Sequence, residues 1–144
     1  MSDTNIKVKI KIKFLIQDHK KIITNLEDMK NFLNEKDIFE NSEVIFILLA
    51  KLTKLITMHL GLEDKYVYPQ LLESDDPKIN ATANKFKNGM GDLGKVYEKF
   101  VNKWDLPKKI QENPQEFINE MNGVIQVLTK RIAAEESDLY PLVA

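Results

Sequence analysis

A seven-residue string occurs twice in this chain, and it limits the fold more than any other feature. Glu63-Asp64-Lys65-Tyr66-Val67-Tyr68-Pro69 and Glu135-Glu136-Ser137-Asp138-Leu139-Tyr140-Pro141 share the pattern E-[DE]-x-x-[VL]-Y-P at an offset of 72 residues, half the 144-residue chain. Upstream of them Thr57 matches Thr129, and Leu62 aligns with Ala134. Each string ends a long segment with helical periodicity. Two equivalent helices related by a pseudo-twofold axis would bring Glu63 and Glu135 to the same height.

Four segments carry apolar residues at three- and four-residue steps, the mark of one buried helix face. The first follows Ile12, Ile16, His19, Ile23, Leu26, Met29 and Leu33. The second is expected to start after Asn41-Ser42, which offer a cap, and runs through Leu52, Leu55, His59, Leu62 and Tyr66. The third opens with Asp75-Asp76-Pro77, a carboxylate cap before a proline at the first helical position, and runs to about Trp104. The fourth opens with Asn113-Pro114-Gln115-Glu116, read as a cap with a closing glutamate, and uses Phe117, Met121, Val124, Leu128, Ile132 and Glu135. Connectors are expected at 34–41, 70–75 and 106–113. Residues 1–11 are ambiguous: Ile6 to Phe14 alternate with lysines as a strand would, yet Val8, Ile12 and Ile16 also keep helical spacing. The expected fold is all-α, one domain spanning 1–144, an antiparallel up-down-up-down four-helix bundle.

Composition removes whole classes of function. Lys and Arg number 21 against 22 Asp and Glu, so there is no global basic field for nucleic acid. Cysteine is absent, which excludes disulfides, thiolate metal sites and cysteine nucleophiles. The longest apolar run, Val44 to Ala50, is too short to span a bilayer. With no charged-then-apolar leader, the expected location is the cytoplasm. The chain holds two histidines, so any mechanism that needs three is ruled out. The basic stretch from Lys7 to Lys21 reads first as a solvated face, second as a contact for a partner or a membrane surface, and a homodimer through the N-terminal segment or a protein partner stays open.

His59 and Glu63 are four apart and share a helix face, as two metal ligands on one helix must. The repeat puts Arg131 opposite His59, which makes Arg131 and Glu135 the mirrored pair. His19 maps onto Gly91, whose neighbour Met90 is the nearest residue able to reach inward. The constellation is therefore His19, His59 and Glu63 with Met90, Arg131 and Glu135. His59 lies in an apolar stripe, and burying it unpaired would cost a few kcal/mol, so a metal or a side chain must satisfy it. Arg131 and Glu135 read either as an exposed ion pair or as a buried one. In the buried reading the guanidinium stands between Glu63 and Glu135 and bonds both. Three glycines, Gly89, Gly91 and Gly94, flank Met90, which is read as a gap filler rather than a thioether ligand. The Tyr-Pro pairs are read as structural, Pro69 kinking or ending its helix and Pro141 closing the last one.

These residues resemble the hemerythrin-like family of four-helix bundles with His-His-Glu repeats. The resemblance rests on Asp18-His19, on His59-Leu60-Gly61-Leu62-Glu63-Asp64 ending in Tyr68-Pro69, and on Arg131-Ile132-Ala133-Ala134-Glu135-Glu136 ending in Tyr140-Pro141, and covers about residues 12–141. It implies a cation site with further histidines near Met90 and at Arg131, and carboxylates bridging two irons. The chain departs from that pattern at both positions. The implied ligands that remain are His19, His59, Glu63 and Glu135, enough for one divalent metal (Fe, Mn or Zn) or none. Arg131 then replaces the charge of a second metal, and Met90 marks a replaced ligand position. The expected role is a binding or sensing module without catalytic residues, not a di-iron oxygen carrier. The alternative is a mononuclear metal enzyme acting on oxygen, peroxide or nitric oxide.

Overall fold

The computed structural model describes residues 3–143, and among these there is no β-strand. Four long helices dominate: α1 (Asp3–Lys30), α2 (Glu35–Leu62), α4 (Pro77–Lys103) and α6 (Pro114–Ala134). Two short ones, α3 (Tyr68–Leu72) and α5 (Pro107–Glu112), lie between them. α1 packs along α2, α6 lies against both, α3 packs on α4, and α5 closes over α2.

The ambiguous N-terminal stretch is helical from Asp3 onward; residues 1 and 2 lie outside the described residues. A lone strand would leave its backbone unpaired, whereas a helix pairs its own and lets Val8 and Leu15 face inward, at 3% and 0% exposure. The connector expected at 34–41 is helical from Glu35 onward. Asn34 caps α2 by accepting the Asp37 amide at 2.9 Å, and Asn41 marks a kink inside the helix (φ −126°, ψ 27°) rather than its start. Asp76 caps α4 as the sequence suggests, accepting the Lys78 amide at 2.9 Å. The capping box at Asn113 does not form. Its amide group turns back to donate to the Lys109 carbonyl, because α5 fills the expected connector and ends there.

Both copies of the repeated string take the same backbone. Glu63–Val67 and Glu135–Leu139 are π turns, closed by bonds from the Tyr68 amide to the Glu63 carbonyl and from the Tyr140 amide to the Glu135 carbonyl. The proline after each tyrosine supplies the reason. It has no N–H, and in a regular helix its ring collides with the carbonyl four residues earlier. Widening the preceding turn by one residue relieves that collision. Pro69 therefore does not end its helix, which continues as α3 to Leu72, while Pro141 sits in a closing 3₁₀ turn, Tyr140–Leu142.

The apolar interior falls into two clusters. The larger joins Ile22, Leu26, Ile45, Leu52, Phe100 and Phe117, with Trp104 edge-on to Phe117 at 5.2 Å. The smaller joins Leu15, Val67, Leu71, Ala83, Phe86 and Leu139. Each fully buried aliphatic side chain stabilises the fold by about 1.5–3 kcal/mol. Between the clusters lies a polar layer. Along α1, His19 falls between Leu15 of one cluster and Ile22 of the other, and along α4, Met90 falls between Phe86 and Tyr97. Arg131 and Glu135 separate Leu128 from Leu139 in the same way. The stretch Glu35–Leu72 is long and apolar enough by length and composition to cross a membrane, which the uninterrupted run Val44 to Ala50 taken alone did not suggest. In the fold its Ile38, Ile45, Leu49, Leu52 and Ile56 line the interior, and the stretch delivers His59 and Glu63 to the polar layer.

Candidate metal centre

His19, His59, Glu63 and Glu135 are all buried, at 1%, 5%, 0% and 1% exposure. Burial at that level obliges each polar atom to find a partner. The partners are mostly one another. His19 Nε2 lies 2.8 Å from Glu135 Oε1 and 3.1 Å from His59 Nε2, and His59 Nε2 is 3.2 Å from Glu135 Oε1. One nitrogen of each imidazole and one carboxylate oxygen thus lie within 4.8 Å of one another. Glu63 Oε2 joins at 3.6 Å from His59 Nε2.

The outer nitrogen of one imidazole, His19, is oriented by a carboxylate. A carboxylate only accepts, so His19 donates Nδ1–H to Glu136 Oε2 at 2.9 Å, which aims Nε2 inward. His59 Nδ1 faces Asp18 Oδ2 at 3.8 Å, too long for a hydrogen bond.

Tyr140 completes the centre. Its hydroxyl donates to Glu63 Oε2 at 2.9 Å and lies 3.1 Å from Glu135 Oε1 and 3.2 Å from His59 Nε2. Reading the Tyr-Pro pairs as structural missed this. In a regular α-helix residue i+5 points about 140° away from residue i, so Tyr140 should not face the side of Glu135. The π turn brings it round. The signal was in the sequence, as proline placed one residue after a repeated tyrosine, but only knowledge of the turn makes it legible.

Arg131 points inward, its side chain 14% exposed, so the exposed ion-pair reading fails. Its Nε–H donates to Glu135 Oε2 at 3.0 Å, and Nη2 donates to the Tyr68 hydroxyl and the Phe86 carbonyl, each at 2.9 Å. The guanidinium stacks on the Phe86 ring at 4.7 Å. A Cβ at Gly89 would sit 3.5 Å from Nη1, so larger side chains there would press on the guanidinium. Among the described residues Arg131 pairs with Glu135 and not with Glu63, which corrects the expectation that it bonds both. The fork is already filled by three acceptors on its own side. Met90 is buried and lines a cavity of about 20 Å³ with His19, His59, Arg131 and Glu135, so the six expected residues do meet in one layer.

The electrostatics follow from these partners. Burial works against charge on both carboxylates. At Glu135 the bonds from His19 and His59 and the nearby Arg131 overcome it, and the carboxyl is held well below its usual range. At Glu63 burial prevails and the carboxyl is raised. His59 also loses solvation, but bonding to Glu135 and Glu63 outweighs that and pushes it up to about 9. Tyr68 and Tyr140 are raised, chiefly by burial, and stay neutral.

Residues 10–143 match the family model described as the hemerythrin HHE cation binding domain. The chain belongs to that family. No curated protein and no solved structure matches it. The residues fit the cation that the family name implies. Two imidazole nitrogens and a carboxylate oxygen converge, and Glu63 Oε1 is buried with no hydrogen-bond partner. Nitrogen and oxygen donors of this kind suit a first-row divalent ion.

Proposed function

We propose that this hemerythrin-family domain holds one divalent cation (Fe, Mn or Zn) through His19, His59, Glu135 and Glu63, and serves as a binding or sensing module rather than a di-iron oxygen carrier. The observation that carries the single-ion reading is the Arg131 guanidinium, bonded to Glu135 where the repeat would place a second histidine. Charge balance argues the same way. The carboxylates buried in the layer are Glu63 and Glu135, and Arg131 already supplies one positive charge beside them, so a second divalent ion would add two more with no further buried carboxylate to offset them.

In this reading the four long helices form an up-down-up-down bundle, and the two π turns are its pseudo-twofold mates. The bound ion would supply a Lewis-acidic or redox-active position inside the bundle. The chain's own part is to aim the donors and neutralise them. Glu136 fixes the tautomer and tilt of His19. Tyr140 holds Glu63 by its hydroxyl. Arg131 bonds the second oxygen of Glu135, and the two apolar clusters on either side exclude bulk water. None of these residues is assigned acid–base work on a substrate, and the soluble setting expected from composition is part of the same proposal.

Metal analysis of the purified protein, followed by anaerobic titration with Fe(II), Mn(II) and Zn(II), tests the reading. One ion per chain is expected, lost in His19→Ala and in His59→Ala. Two irons per chain with oxo-bridge absorption bands would refute it.

A further inference from the structure

Beside the polar layer, between α2 and α4, lies a cavity of about 360 Å³ that the cation reading does not use. Its size falls within the range of small-molecule sites, about 300–1,000 Å³. Ile56, Leu60, Met90 and Leu128 line it, and the same four side chains line the small cavity at His19, His59 and Glu135. A single layer of side chains therefore separates the two spaces.

The lining states the chemistry of an occupant. Its walls are largely aliphatic, and the one charged residue among the described residues that line it is Glu98, exposed at the rim. That excludes an anion and favours a neutral molecule. Inside, Thr53 and Tyr97 are bonded at 2.8 Å. Thr53 has one hydroxyl proton and gives it to the Leu49 carbonyl at 2.9 Å, which can only accept. Tyr97 must therefore donate to Thr53, and its phenolic oxygen keeps lone pairs for a donor from elsewhere.

Gly94 also lines the cavity, and a Cβ built there meets nothing within 4 Å. Glycine inside a helix costs about 1 kcal/mol against alanine. The helix carries that cost where no neighbour demands it, and the result is open space.

We propose that this cavity binds a small, neutral, largely apolar molecule carrying one hydrogen-bond donor, and that its occupancy is felt at the centre through Met90. The proposal stands apart from the cation reading, because it concerns the metal-free protein. Phenol and toluene, equal in size and differing in the donor, are suitable probes, followed by NMR of the Met and Ile methyl groups and of the histidine imidazoles. Saturable shifts of the Met90 and Ile56 methyls are expected with both. Phenol should bind about fivefold more tightly, the worth of one net hydrogen bond. Tyr97→Phe should erase that preference. Gly94→Leu should weaken both probes at least about tenfold by filling the space, while thermal melting stays level or rises, since leucine favours a helix. Gly94→Ala, which adds one methyl, is the folding control. The His59 imidazole should shift on phenol binding. Absence of saturable shifts in the wild type, or unchanged affinity in a folded Gly94→Leu protein, would overturn the site. Methyl shifts without any response at Met90 and His59 would overturn its link to the centre.

Discussion

The π turns Glu63–Val67 and Glu135–Leu139 share a sequence pattern and a backbone, yet their carboxyls are shifted in opposite directions. Glu135 is bonded by Arg131, His19 and His59 and is kept ionised; Glu63 rests on the Tyr140 hydroxyl with one oxygen unpartnered, and burial raises it. The difference arises four residues upstream, where one turn is preceded by His59 and the other by Arg131. Backbone repetition sets where the carboxylates stand, and the donors around each, His19 and His59 first and Arg131 after them at Glu135, then set the direction in which each is shifted. A permanent cation on one side leaves the other as the side that needs one.

The largest effect should come from removing that cation. Arg131→Met takes the shared donor from Glu135 Oε2, the Tyr68 hydroxyl and the Phe86 carbonyl together, leaving Glu135 only its imidazole partners on Oε1. Breaking one partner of a buried pair typically destabilises by about 3–5 kcal/mol. Added Zn(II) or Mn(II) should recover much of the loss, because it restores positive charge and binds the folded state. Arg131→Met with Glu135→Gln should be milder than the single change, since the stranded charge is gone. Chemical denaturation with and without metal measures all three. If Arg131→Met unfolds at the wild-type midpoint, the asymmetry between the turns has no energetic content.

Proton linkage comes next. The raised His59 stabilises the metal-free fold fully below its usual value of 6.5, and that contribution drains away as pH rises through about 9. The lowered Glu135 acts in the opposite direction: its contribution is present above the usual 4.5 and is lost as pH falls below it. Metal-free protein should therefore be most stable in mild acid and lose a few kcal/mol by pH 9. A bound divalent ion displaces the His59 proton, so the loaded protein should not show the alkaline decline. Urea midpoints from pH 5 to 9, with and without metal, check the sign. A metal-free midpoint that rises toward pH 9 would show that His59 is not held by the carboxylates.

How far the centre could be read in advance follows from the same asymmetry. His19, His59, Glu63 and Glu135 were legible because regular helical spacing places them on buried faces, and Arg131 because the half-chain offset pairs it with His59. The helix starts were less so: Asn41-Ser42 has the composition of a cap and is a kink, since Asn34 already caps the helix. Tyr140 and Tyr68 were invisible to a count of 3.6 residues per turn. Their orientation depends on a π turn that no periodicity encodes. The ion pair between Arg131 and Glu63 failed for a different reason, since charge alone cannot tell which acceptors a guanidinium reaches first.

The smallest predicted difference is the most specific to the comparison, for it concerns two tyrosines in the same place on the repeated string. Tyr140 is a donor: its proton goes to Glu63 Oε2 at 2.9 Å, on a carboxylate whose other oxygen has no hydrogen-bond partner and whose nearest imidazole nitrogen, His59 Nε2, is 3.6 Å away. Tyr140→Phe leaves that buried group unsatisfied, which costs about 1–3 kcal/mol and more if it stays charged. Tyr68 accepts one of two bonds from Arg131 Nη2, and the other goes to the Phe86 carbonyl. Tyr68→Phe therefore removes one acceptor from a guanidinium that keeps Glu135 and Phe86, a loss of about 1 kcal/mol. The two substitutions delete the same atom from the same repeat position, so side-chain volume cannot account for a gap between them. Added divalent metal should narrow the gap, because a cation at Glu63 supplies what the Tyr140 proton supplied, while Tyr68 lies on the side that Arg131 already serves. Equal losses for the two variants, unaffected by metal, would mean that the two turns are electrostatically alike after all.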